Sequence, residues 1–118
     1  MRPFSVFALG GILLVSLEEE IDDSGIELLQ KTVSTMVSRQ NARGVIVDLH
    51  DIELLDSYLA RHLQKLALTL KLLNARLIVV GLSVPVVMTL LDFDITLQDM
   101  DFALDVEQAL ARLQQHTE

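Results

Sequence analysis

Gly44-Val45-Ile46-Val47-Asp48-Leu49, followed closely by Asp56-Ser57-Tyr58-Leu59-Ala60-Arg61, is the stretch on which the fold turns. The first run is almost entirely apolar and predicts a buried strand. The second opens a helix in which Leu59, Leu63, Leu66, Leu70 and Leu73 recur at helical spacing and form the inward face. The next element confirms the alternation, because Arg76 to Gly81 holds a continuous Leu-Ile-Val-Val run of the kind covered on both faces in a parallel sheet.

Working outward, Phe4 to Leu9 and Ile12 to Leu17 predict two strands joined by Gly10-Gly11, a hairpin signature. Ser24-Gly25-Ile26-Glu27 has the form of a capping box and opens a helix to about Gln40, with Ile26, Leu29, Val33 and Met36 facing the core. Pro85 at the first helical position starts a third helix that ends near Asp92. A short strand at Phe102 to Leu104 leads to a last helix opened by Asp105, with Val106, Ala109, Leu110 and Leu113 inward. The expected fold is α/β, a single domain over residues 1–118 with a mostly parallel mixed sheet of about five strands and four helices.

Composition narrows the function. With 118 residues and 51% hydrophobic content the chain buries one core. It has no cysteine, which removes disulfide and thiolate chemistry and agrees with a cytoplasmic setting. A formal charge of −8 with nine scattered Lys and Arg argues against nucleic acid as a partner. The uncharged run from Pro3 to Leu17 has the outline of a signal peptide, but Gly10-Gly11 interrupts it and no small-x-small cleavage signal follows, so the hairpin is expected instead. The run from Leu77 to Leu91 is too short for a membrane span and contains Gly81 and Pro85, so no membrane anchor is expected.

Catalytic patterns are weak. Asp48, His50 and Ser57 could be hydrolase parts, yet Leu55-Asp56-Ser57-Tyr58-Leu59 lacks both glycines of a nucleophile elbow. Asp48 at a strand end also suggests a receiver-type phosphoacceptor, but the paired acids after a first strand and the late lysine are missing. His62 and His116 point to nothing specific, and Gly10-Gly11 is not followed by the Gly-Lys-Ser/Thr of a phosphate loop. The expectation is a protein that is not an enzyme and uses no cofactor or metal.

Ser57 is the informative residue. It is read as a helix cap and as an exposed hydroxyl at a helix N-terminus, where the dipole and first-turn amides tolerate a phosphate. Asp48, Asp51, Glu53 and Asp56 precede it as an acidic rim, so a dianionic group there adds like charge and repels a docked partner. Arg61, four residues on, lies within pairing range of such a phosphate. Positions 57, 61, 64, 65, 68, 71 and 72 lie opposite the leucine stripe, so Leu68 and Leu72 beside Arg61 and Lys65 form a candidate interface patch. The stretch from Asp92 to Glu107, with acids and no Lys or Arg, is a second candidate surface.

These residues resemble the STAS family, the domain shared by anti-sigma-factor antagonists and sulfate transporters. The resemblance rests on Gly44 to Leu49, on Asp56 to Arg61, and on Val80-Gly81-Leu82-Ser83-Val84-Pro85-Val86-Val87-Met88-Thr89-Leu90, continuing to Thr96-Leu97, and it is nearest to the small stressosome subunits. It implies that Ser57 is the phosphorylated residue, with Asp51, Glu53, Asp56, Tyr58, Arg61, Lys65 and Leu68 as kinase or partner contacts. The implied function is a non-enzymatic scaffold that sequesters a switch serine/threonine kinase until Ser57 is phosphorylated; the alternative is a freely diffusing anti-sigma-factor antagonist acting by direct partner switching. Implied partners are that kinase, sensor-bearing STAS paralogues, a metal-dependent serine phosphatase and further copies in a large assembly. With the first strand at Phe4, no amino-terminal sensor domain is expected here. Tyr58 and Ala60 depart from the family pattern, which often has a smaller residue and a glycine there.

Overall fold

The computed structural model describes residues 3–92 and 100–115. Its elements run β1 (Phe4–Leu9), β2 (Ile12–Leu17), α1 (Asp23–Gln40), β3 (Gly44–Asp48), α2 (Ser57–Leu72), β4 (Arg76–Val80), α3 (Val84–Asp92), β5 (Asp101–Phe102) and α4 (Val106–Gln115). The strands form one sheet in the order β1-β2-β3-β4-β5, with β1 antiparallel to β2 and every later neighbour parallel. The expected mixed α/β architecture is present.

The hairpin forms because Gly10 and Gly11 both adopt positive φ, 53° and 86°, which a two-residue turn between twisted strands needs. Each later strand moves one place across the sheet in the same direction. Right-handed crossovers then put all the connecting helices on one face. There Leu13, Val15, Val45, Val47, Leu77 and Val79 meet Leu29 and Val33 of α1, Leu63 and Leu66 of α2, and Val86 and Leu90 of α3. Helix α4 is not a crossover and covers the other face, where Ala109 and Leu113 pack on Ile12, Ile46 and Ile78. Gly44 permits this close approach, since a Cβ there would lie 2.7 Å from a Leu113 methyl.

Several boundaries differ from the sequence reading, each for a local reason. Helix α1 is capped by Asp22 rather than by a Ser24 box, because the Asp22 carboxylate accepts from Gly25 N at 2.8 Å and from the Ser24 hydroxyl at 3.1 Å. Helix α2 ends at Leu72, so Leu73 leaves helical geometry and is exposed instead of continuing the buried stripe. Ser83 precedes α3, its Oγ accepting from Val86 N at 3.4 Å, which moves Pro85 to the second helical position. Strand β5 pairs earlier than Phe102 to Leu104, through Asp101 and Phe102. Asp105 does open α4, accepting from Gln108 N at 2.8 Å.

Parallel strands also sort the charges. The loops after β2 and β3 emerge at one end of the sheet with Glu18, Glu19, Glu20, Asp51, Glu53 and Asp56, whereas Arg39, Arg43, Lys71 and Arg76 lie at the other end, where α1 and α2 finish and β3 and β4 begin. Helix dipoles favour this arrangement, acids near N-termini and bases near C-termini. Of the acidic stretch from Asp92 to Glu107, residues 93–99, with Thr96 and Leu97, lie outside the described residues, as does His116; Asp101 is committed to an ion pair with Arg76.

Candidate functional site

The loop from β3 to α2 is held down by its apolar residues. Leu49, Ile52 and Leu55 are buried, and Ile52 N donates to Leu49 O at 2.9 Å, so the acids between them, Asp51 and Glu53, face water. Helix α2 then starts at the end of the sheet where β3 and β4 finish. Its cap is Asp56, not Ser57: the Asp56 backbone is extended and its carboxylate accepts from Leu59 N at 2.8 Å. A carboxylate reaching the third amide leaves Ser57 as the first helical residue, exposed and with no hydrogen bond from its hydroxyl among the described residues. This is an available nucleophile on a helix N-terminus.

The acidic rim is only partly free. Asp48 Oδ1 accepts from His50 N at 3.0 Å and lies 3.0 Å from His50 Nδ1, while Nε2 of the same ring is 3.2 Å from Asp51 Oδ1. Hydrogen bonding and charge from Asp48, with Asp51 behind, raise the His50 pKa above its ordinary value, which favours the protonated ring between the two acids. Glu53 and Asp56, four and one residues before Ser57, are exposed, and Asp56 is engaged as the cap of α2. No hydrogen bond joins His50 to Ser57, so the hydrolase arrangement is not assembled. Among the described residues no cluster of His, Asp or Glu suits a metal ion.

Tyr58 does not sit on the rim. It is half-buried against the helical core, its ring stacked on His62 with centroids 4.1 Å apart. Burial, then the charges of Glu27 and Asp23 on α1, push its phenol pKa up. Ala60 is fully buried, which explains why a small residue is needed there. Arg61 and Lys65 are exposed on the outward side with Leu68 at 46% and Leu72 at 86% exposure, so the helix has the rotation that the leucine stripe predicts.

A family model described as the STAS domain matches residues 5–109. The chain belongs to the STAS domain family. Solved structures agree in fold: a Ser-to-Glu variant of RsbS from Moorella thermoacetica has 21% identity and a TM-score of 0.84, covering 94% of each chain. A structure described as the molecular architecture of the stressosome has 21% identity and a TM-score of 0.82 over 94% of this chain and 96% of that one. The anti-sigma factor antagonist SpoIIAA, unphosphorylated, has 15% identity and a TM-score of 0.72 over 94% and 97%. Comparison with curated proteins gives no match. No helix among the described residues is long and apolar enough to cross a membrane.

The His50 clamp and the Tyr58–His62 stack were missed by the sequence reading of this STAS domain. Local signals exist in Asp48-Leu49-His50-Asp51 and in the four-residue spacing of Tyr58 and His62. The exposed side of α2 supports a first prediction. Leu68→Asp should leave the circular dichroism spectrum and melting unchanged but impair association with a STAS partner seen by light scattering. A charge at a dry contact costs about 2–3 kcal/mol when unpaired. Unaltered association would place the contact on another surface.

Proposed function

We propose that this STAS domain is a non-enzymatic, phosphorylation-switched scaffold subunit of a cytoplasmic stress-signalling assembly of the stressosome kind. In this reading it binds and sequesters a switch serine/threonine kinase until Ser57 is phosphorylated. The observation that carries it is the unengaged Ser57 hydroxyl at the first position of α2. Support comes from a fold like that of the RsbS variant and of the stressosome structure.

The switch is electrostatic. Phosphate brings about −1.5 to −2 charges next to Glu53 and Asp56, on a helix start that Asp56 already caps. Arg61 is the nearby cation on the same face and holds the phosphate toward α2. A kinase surface that tolerates the unmodified rim meets a much stronger field after modification, and the complex dissociates. Sensor-bearing STAS paralogues share the assembly, and a metal-dependent phosphatase resets Ser57.

Calorimetry with the cognate kinase tests this. Ser57→Ala should bind as the unmodified protein does, and Ser57→Asp about tenfold more weakly, a partial effect because aspartate supplies about one charge. Equal affinity of the two variants would refute the switch. Size-exclusion chromatography with a sensor-bearing paralogue separates an assembly subunit, which elutes in a large complex, from a freely diffusing antagonist, which does not.

A further inference from the structure

Strand β1 is the outer strand of the sheet and is bonded to β2 on one side only. In an antiparallel pair alternate residues turn their main-chain groups toward the neighbour. Glu18 N donates to Pro3 O at 2.9 Å and the hairpin closes on the Leu9–Ile12 pair, so Pro3, Ser5, Phe7 and Leu9 bond inward. The N–H and C=O groups of Phe4, Val6 and Ala8 point away from the sheet.

Natural edges are blunted by charge, proline or a bulge. This one is not. Phe-Ser-Val-Phe-Ala-Leu has no charge and no proline, and its register with β2 runs unbroken from Phe4 to Leu9. Both flanks are apolar and open. On the helical side Phe4, Val6, Leu28 and Met36, with Pro3 at one end and Thr32 of α1, line a mostly apolar groove beside the edge, and on the other side Phe7 is 63% and Leu9 49% exposed.

We propose that β1 pairs antiparallel with β1 of a second copy of this chain about a two-fold axis, joining the two sheets edge to edge. Charge selects this occupant. A chain of net charge −8 resists self-contact through most of its surface, but this strand is neutral. Its two ends also differ in sign: the Pro3 end lies by Glu18 and the acidic loop after β2, whereas at the Gly10 end Arg43 Nη1 donates to Gly10 O at 3.0 Å. Antiparallel pairing sets the acidic end of one copy beside the Arg43 end of the other, and parallel pairing would set acid against acid. Side chains of the second strand then fill the groove at Leu28 and Met36. The proposal does not rest on the Ser57 switch and concerns a different strand.

Sedimentation equilibrium and amide hydrogen exchange on the unmodified full chain test it without any kinase. The expected result is a dimer of the 13.2 kDa chain at micromolar concentration, with Val6 and Ala8 amides protected. Phe7→Lys should raise the dissociation constant at least tenfold and expose those two amides, while the amides at position 7 and at Leu9 stay protected by β2. Val6→Pro is the second variant, since it deletes an outward N–H that β2 does not use. A wild-type monomer at several hundred micromolar, a dimer insensitive to the folded variants, or a dimer with freely exchanging Val6 and Ala8 would each overturn the proposal; if both variants unfold, the wild-type exchange pattern decides alone.

Discussion

Ser57→Ala is expected to take phosphate incorporation by the cognate kinase from stoichiometric to none. Serines stand at the starts of three helices, and their chemistry differs. The Ser24 hydroxyl donates to Asp22, and Ser83 Oγ accepts from Val86 N, so both are spent on their helices. Thr89 is likewise engaged, donating to Pro85 O at 2.9 Å. Asp56 caps the helix of Ser57, and among the described residues Ser57 is the one of the three whose hydroxyl has no hydrogen bond. Phosphopeptide mapping checks this, and a Ser57→Ala chain still modified to wild-type level would move the acceptor elsewhere, with Ser83 and Thr89 as the next sites to test.

The largest loss of stability is expected from Gly81→Val. Gly81 follows β4 at φ 77°, in the left-handed region that a β-branched residue avoids. The space is also taken: a Cβ would lie 2.6 Å from Asp48 Oδ1 and 3.0 Å from His50 N. Backbone strain and overpacking together cost about 3 kcal/mol, or roughly 10–20 °C of melting temperature in a domain of this size. Gly10→Asn is the control. Its φ of 53° suits Asn and nothing lies within 4 Å of its Cβ position, so the melt should shift by only a few degrees. Equal melts for both variants, followed by circular dichroism, would show that the loop before α2 yields freely and that Asp48 and His50 are not held against Gly81.

Effects that are local in the chain are legible in the residues themselves. The hairpin follows from Gly10-Gly11 and the buried faces of the helices from their spacing, since a side chain's direction is fixed by its own element. The α2 face carrying Arg61, Lys65 and Leu68 is found the same way. Reading Ser57 and Ser24 as caps fails for an equally local reason: an aspartate stands one or two residues earlier, and its carboxylate takes a first-turn amide, Leu59 N or Gly25 N, so the helix is already capped.

What the sequence by itself determined, then, is the order of elements, the inward stripes and the position of Ser57 at a helix start, because these depend on neighbours a few residues apart. Only the tertiary structure decided which charges remain free around it. Gly81 follows β4 whereas Asp48 ends β3 and His50 lies just beyond it, and Tyr58 feels the charges of Glu27 and Asp23 of a different helix. The same holds for the open edge, where residues of β1 and α1 meet in one groove. Such adjacencies are set by how strands are ordered in the sheet and which face each helix covers, and no periodicity within one segment encodes them.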